Sequence, residues 1–214
     1  MTPADIGHDL RESVERLRGP VELYLLHRDD PSVPVGPIVD CLNEHREAGL
    51  IRAFGTSNWT TRRIDEANAY AEANGLEGFC ISSQHFSLAA QNEEHWPDTR
   101  SANDPAIHDW HVRTQTPLLA WSSLARGYFA GRSDGDVARV YDSAANRERR
   151  RRAQALGRRL GRSAAQVALA WALHQPYPVY AAFGARTPEQ VRDRFGALDI
   201  DPAELASLTS NCAG

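Results

Sequence analysis

The sequence predicts an α/β protein built on a parallel sheet of about five strands. Three observations predict it. Short apolar runs bounded by turn residues recur at 21–27, 51–57, 78–84, 117–123 and 178–184. Helical spacing of apolar residues separates them. Each run is apolar throughout rather than alternating, which marks strands buried on both faces.

Taken in order, Ile6, Leu10, Val14 and Leu17 set an opening helix that ends near Gly19-Pro20. VELYLLH (21–27) is the first strand. Ile38, Cys41, Leu42 and His45 mark a second helix, closed by Gly49, and IRAFGTS (51–57) is the next strand. A helix carrying Ile64, Ala67 and Ala71 stops at Gly75, before the strand GFCISSQ (78–84). Residues 85–103 read as loop, followed by a helix from Asp104-Pro105 and the strand PLLAWSS (117–123). A long loop to about Asp142 leads to an arginine-rich helix and to SAAQVALAWALHQ (163–175), capped by Ser163. PVYAAFG (178–184) is the last strand. TPEQVRDRF and DPAELASL follow as helices with proline in the first turn. The whole, 1–214, reads as a single domain.

Composition narrows the function. The 214 residues are 42% hydrophobic and 24% charged, with a net charge of −4. This balance argues against a nucleic-acid or anionic-membrane partner. No run approaches the roughly 18–20 apolar residues of a membrane span. Cys41, Cys80 and Cys212 are few and far apart, the usage of reduced thiols in a cytoplasmic protein. The sequence contains no lysine; all 24 basic residues are arginine. Lysine Schiff-base chemistry is therefore closed to it.

The polar residues worth naming sit where strands end: His27, Ser57, Asn58, Gln84, Trp121, Ser122 and Gly184. Parallel α/β sheets hold their ligands at that edge. His108 and His111 lie three apart on one helix, but no zinc-type ligand pattern accompanies them, and no metal site is expected. The run RERRRRAQALGRRLGR (147–162) reads as a solvated helix face.

LYLLHRDDP, GLIRAFGTSNWT, LLAWSSLARGYFAGR and AAQVALAWALHQPYPVYAAFGARTPEQ, in that order and spacing, resemble the aldo-keto reductases, in particular bacterial predicted oxidoreductases. The resemblance spans essentially the whole chain. It implies part of a (β/α)8 TIM barrel and NADP(H)-dependent reduction of an aldehyde or ketone. By resemblance, His27 orients and polarises the substrate carbonyl. Ser57, Asn58 and Gln84 hydrogen-bond the nicotinamide carboxamide, and Trp121 stacks on its ring. Ser122, Leu124, Arg126 and Arg132 lie in the loop around the pyrophosphate. Gly184, Arg186, Gln190 and Arg194 lie where the family binds adenosine and its 2′-phosphate. The chemistry suits those ligands: a carboxamide needs donors and acceptors, and phosphates need arginine forks. Ser123 stands where many relatives have proline, and Arg194 replaces a common asparagine.

The resemblance also implies an N-terminal truncation, with the first three strands missing. Those strands carry the family's catalytic aspartate, tyrosine and lysine, and none of Tyr24, Tyr70, Tyr128, Tyr141, Tyr177 and Tyr180 matches the family tyrosine. A start inside a longer gene explains the same pattern, since Met1 sits where relatives read leucine. Strands 21–27 and 178–184 would become sheet edges, to be covered by self-association, by a partner chain or by rearrangement. Two further readings stay open: a lyase, cyclase or isomerase using His27 as acid or base, and a non-catalytic nucleotide-binding subunit that completes a split barrel.

Overall fold

A computed structural model describes residues 1–209. Cys212 falls outside the described residues. Five strands form one sheet in the order β1-β2-β3-β4-β5. The chain divides into two compact units, 1–83 and 84–214.

In the first unit, α1 (Pro3–Leu17) starts at a capping box, the Thr2 hydroxyl and the Asp5 carboxylate satisfying each other's backbone N–H. Parallel strands β1 (Val21–Leu26) and β2 (Ile51–Ser57) pair from Val21↔Ile51 to Leu26↔Thr56. The helices α2 (Val35–Glu47) and α3 (Thr61–Asn74) supply Ile38, Leu42 and Ile64, each 1% exposed or less, to the core. Gly55 has a steric reason: a Cβ there would lie 2.4 Å from the Ile81 carbonyl oxygen.

β3 is Ser82–His85, later and shorter than the 78–84 predicted. At Phe79 the Asn68 side chain intervenes, while Cys80 and Ile81 still bond β2. Its Oδ1 accepts from the Phe79 N–H at 2.7 Å and its Nδ2 donates to the Phe79 carbonyl at 3.3 Å, so a side chain occupies the groups a ladder would use. β3 pairs in parallel with β2 through Thr56↔Ser82 and Ser57↔Ser83.

In the second unit, α4 (Pro105–Thr114) precedes β4 (Leu118–Trp121), which pairs in parallel with β5 (Val179–Ala181). The predicted loop to Asp142 is more ordered than its composition suggests. It holds a 3-10 turn at Ala125–Ala130 and a short helix, α5 (Gly135–Tyr141), whose Val137, Val140 and Tyr141 are buried. The arginine-rich segment is α6 (Ala144–Leu160), and α7 (Ala164–Leu173) begins at a Ser163–Gln166 capping box. α7 is the apolar centre of this unit, with Val167, Ala168 and Ala170 fully buried. α8 (Pro188–Phe195) follows β5. DPAELASL forms two 3-10 turns, Pro202–Glu204 and Ala206–Leu208, rather than the α-helix predicted. Eight residues give few propagating bonds to offset helix nucleation. No helix among the described residues is long and apolar enough to cross a membrane.

Candidate functional site

In the first unit, His27 is the residue after β1 and is exposed. The loop behind it is firmly held. Arg63, from the first turn of α3, reaches Asp29 with Nε at 3.1 Å and Nη2 at 3.2 Å, and donates to the Val33 carbonyl at 2.9 Å. The Arg63 and Asp29 side chains are only 6% and 11% exposed. The same guanidinium lies 5.3 Å from the centroid of the buried Trp59 ring. Thus HRDDP and GTSNWT, read separately in the sequence, are tied together behind His27.

Ser57 ends β2 and Asn58 follows with φ 61°, both buried. The Asn58 Nδ2 donates to the Ser57 Oγ at 2.9 Å, and the Asn58 N–H donates to the Ser83 carbonyl at 2.9 Å. The left-handed turn therefore aims this donor–acceptor pair at the carboxyl end of the strand.

In the second unit, Gln84 is fully buried in β3. Trp121 ends β4 half-buried, its indole N–H without an acceptor. Ser122 (φ 52°), Ala125 (φ 46°), Arg126 (φ 53°), Gly127 (φ 93°) and Gly131 (φ 102°) all adopt left-handed backbone. Three of these are not glycine, a conformation held at a cost and concentrated at binding sites. Leu124 is half-buried in this loop. Arg132 closes it: its Nη1 donates to the Arg126 carbonyl at 3.3 Å, while Nε and Nη2 fork onto Asp134 at 3.0 Å each. Ser123 accounts for its departure from proline by donating to the Ala182 carbonyl at 2.8 Å.

Beyond β5, Gly184, Arg186 and Gln190 are exposed around the first turn of α8. The Gln190 Oε1 accepts from the Arg186 N–H at 2.7 Å, and the Thr187 side chain caps the helix. The Arg186 guanidinium has no ion pair among the described residues. Arg194 is differently placed: it pairs with Asp193 and lines an apolar groove with Leu169, Leu173, Phe183, Phe195 and Leu198.

Several polar residues escaped sequence reasoning. His85 is fully buried directly after Gln84. Its Nδ1 lies 2.9 Å from the Ser101 Oγ and its Nε2 lies 3.1 Å from the Tyr141 hydroxyl. Burial, then the neighbouring His95 charge, pushes the His85 imidazole down to about 3. Burial pushes the Tyr141 phenol up to about 12. The Trp121 ring lies 5.2 Å from His85, edge to face, and 5.8 Å from the half-exposed Trp96. His95 is hydrogen-bonded to Arg126, whose guanidinium also lies 5.6 Å from the Trp96 ring. SSQHF carried a weak signal for His85, a histidine at a strand end. Tyr141 carried none, being 56 residues away.

Comparison with known proteins decides the family. The aldo/keto reductase family model matches residues 1–211.

The chain belongs to the aldo/keto reductase family.

It is 29% identical over 202 residues to the uncharacterized oxidoreductase YrpG of Bacillus subtilis (strain 168), covering 91% of this chain and 59% of the relative. It is 27% identical to a probable voltage-gated potassium channel subunit beta of Oryza sativa subsp. japonica, covering 94% of this chain and 65% of that one. It is 26% identical to versiconal hemiacetal acetate reductase of Aspergillus parasiticus, covering 92% and 58%. Among solved structures, a thermostable aldo-keto reductase in complex with the inhibitor epalrestat superposes with a TM-score of 0.76 at 23% identity, over 98% of this chain and 66% of that one. That likeness shows the fold. The chain thus spans about three-fifths of the length of the curated relatives it matches.

Proposed function

We propose that the protein is an NADP(H)-dependent reductase of a small aldehyde or ketone. The observation that carries this reading is the half-buried Trp121, whose ring ends β4 just before a left-handed loop bearing Arg126 and Arg132. A flat half-exposed indole suits a nicotinamide ring. The unpaired Arg186 at the first turn of α8, with Gln190 beside it, suits the 2′-phosphate. These residues fit the cofactor.

Bound dihydronicotinamide would supply a hydride to the carbonyl carbon. By the family resemblance, Trp121 would give its ring a face, and Ser57, Asn58 and Gln84 would offer its carboxamide donors and acceptors. The Ser57 hydroxyl, accepting from Asn58, keeps its own hydrogen to donate. His27 donates a ring N–H to the substrate oxygen. Arg194, engaged by Asp193, contributes less to phosphate binding than Arg186. The free thiols of Cys41 and Cys80 accord with a cytoplasmic location.

A second reading, a non-catalytic nucleotide-binding subunit, has specific support. One relative is named as a channel subunit. One titration separates the two. NADPH should bind the purified chain, followed by cofactor fluorescence. Arg186→Ala should weaken it about tenfold, the loss of one charge-assisted hydrogen bond, and leave NADH nearly unchanged. Equal weakening of both cofactors would refute the phosphate assignment. NADPH binding with no reduction of a panel of aldehydes selects the subunit reading.

A further inference from the structure

Trp121 and Ser122 form a corner where β4 stops and the left-handed loop begins. What fixes that corner is a chain of hydrogen bonds in the 84–214 unit. Asn103 donates from Nδ2 to the Ser87 carbonyl at 2.9 Å, so its Oδ1 is left to accept from the Ser101 hydroxyl at 3.3 Å. The Ser101 Oγ also lies 2.9 Å from the His85 Nδ1. On the other side of the ring, the His85 Nε2 lies 3.1 Å from the Tyr141 hydroxyl.

Bonded at both ring nitrogens and fully buried, the His85 imidazole is held in place. Its edge meets the Trp121 ring at 5.2 Å with planes 72° apart. His85 and Tyr141 have no exposed surface. They therefore act through their neighbours rather than on a ligand.

We propose that Tyr141 and His85 are positioning residues for nicotinamide nucleotide binding. Together they hold the Trp121 indole in the orientation the ligand needs. The inference rests on the reading that Trp121 contacts such a nucleotide. Burial keeps both groups neutral through the physiological range.

Tyr141→Phe keeps the ring and removes only the hydroxyl. In this variant NADPH affinity should fall roughly five- to tenfold, the worth of a buried hydrogen bond. Affinity for 2′,5′-ADP, which has no nicotinamide, should stay within about twofold of the parent. His85→Gln can accept at one end and donate at the other, and should retain more NADPH affinity than His85→Phe. Unchanged NADPH affinity in Tyr141→Phe, or equal loss of both ligands, would overturn the proposal.

A cofactor-free measurement separates this failure from failure of the nucleotide reading. The Trp121 contribution to near-ultraviolet circular dichroism, taken as the difference from Trp121→Phe, should change in Tyr141→Phe while the far-ultraviolet spectrum does not. If the parent binds neither ligand, the nucleotide reading falls. An unaltered Trp121 band would still overturn the positioning role, and an altered band would sustain it.

Discussion

At the scale of a residue, His85 makes a testable demand on stability. In the folded chain it takes up a proton only near pH 3, whereas in the unfolded chain a histidine does so near 6.5. Between those values the unfolded state binds more protons. Stability is therefore full above about pH 6.5 and declines as pH falls towards 3, by at most about 1.4 kcal/mol per pH unit for one such group. His95 and His111 are also pushed down, burial being the first cause in each, and they add to the slope. The hydrogen-bonded Asp30 and Glu148 carboxyls, each lowered to about 2, add to the loss only below about pH 5.5. Urea midpoints between about pH 7.5 and 5.5 thus isolate the histidines. Replacing His85 by Gln should flatten the decline by about one proton. An identical slope in the variant would mean that His85 is protonated in the native state.

At the scale of an element, the β1–α2 loop is pinned from α3. Arg63 donates to Asp29 and to the Val33 carbonyl while packed on Trp59, and both charged partners are nearly buried. Removing one member of a buried pair strands the other and typically costs about 3–5 kcal/mol. Arg63→Ala should therefore lose about 3 kcal/mol by chemical denaturation and speed amide exchange at residues 27–33. Combining Arg63→Met with Asp29→Asn should recover part of that loss, because no buried charge is left unpaired. A loss below about 1 kcal/mol in Arg63→Ala would show that the loop is held by other contacts. The pair was illegible in the sequence: Arg63 reads as one more surface arginine until the fold brings it to a residue 34 positions away.

At the scale of the molecule, both ends of the sheet invite a partner. Among the described residues, β1 neighbours only β2 and β5 neighbours only β4 in the strand order. Leu23 on β1 is 38% exposed and Tyr180 on β5 is 58% exposed, large apolar side chains on strands with a free edge. Such edges template pairing with another chain. We expect light scattering at micromolar concentration to give a dimer or larger species. Tyr180→Glu should shift the distribution towards monomer. A monodisperse monomer with slow exchange in both edge strands would argue that the edges are covered within the chain.

The sequence by itself determined the strand–helix alternation, the parallel sheet and the family. Apolar runs, glycine stops and Ser163-type caps are local, and the ordered motifs around His27, Asn58, Trp121 and Arg186 persist in linear form. It also marked the strand-end residues, because a strand end is visible as the point where an apolar run meets polar residues. Tertiary structure alone decided which of them have fixed neighbours. Asn68 took over the Phe79 backbone, and Asp193 engaged the Arg194 guanidinium. His85, Ser101 and Tyr141 came together from three separate segments. The physical reason is that propensity and periodicity act over a few residues. A buried hydrogen bond depends instead on where two distant side chains arrive once the core has closed, and nothing local encodes that arrival.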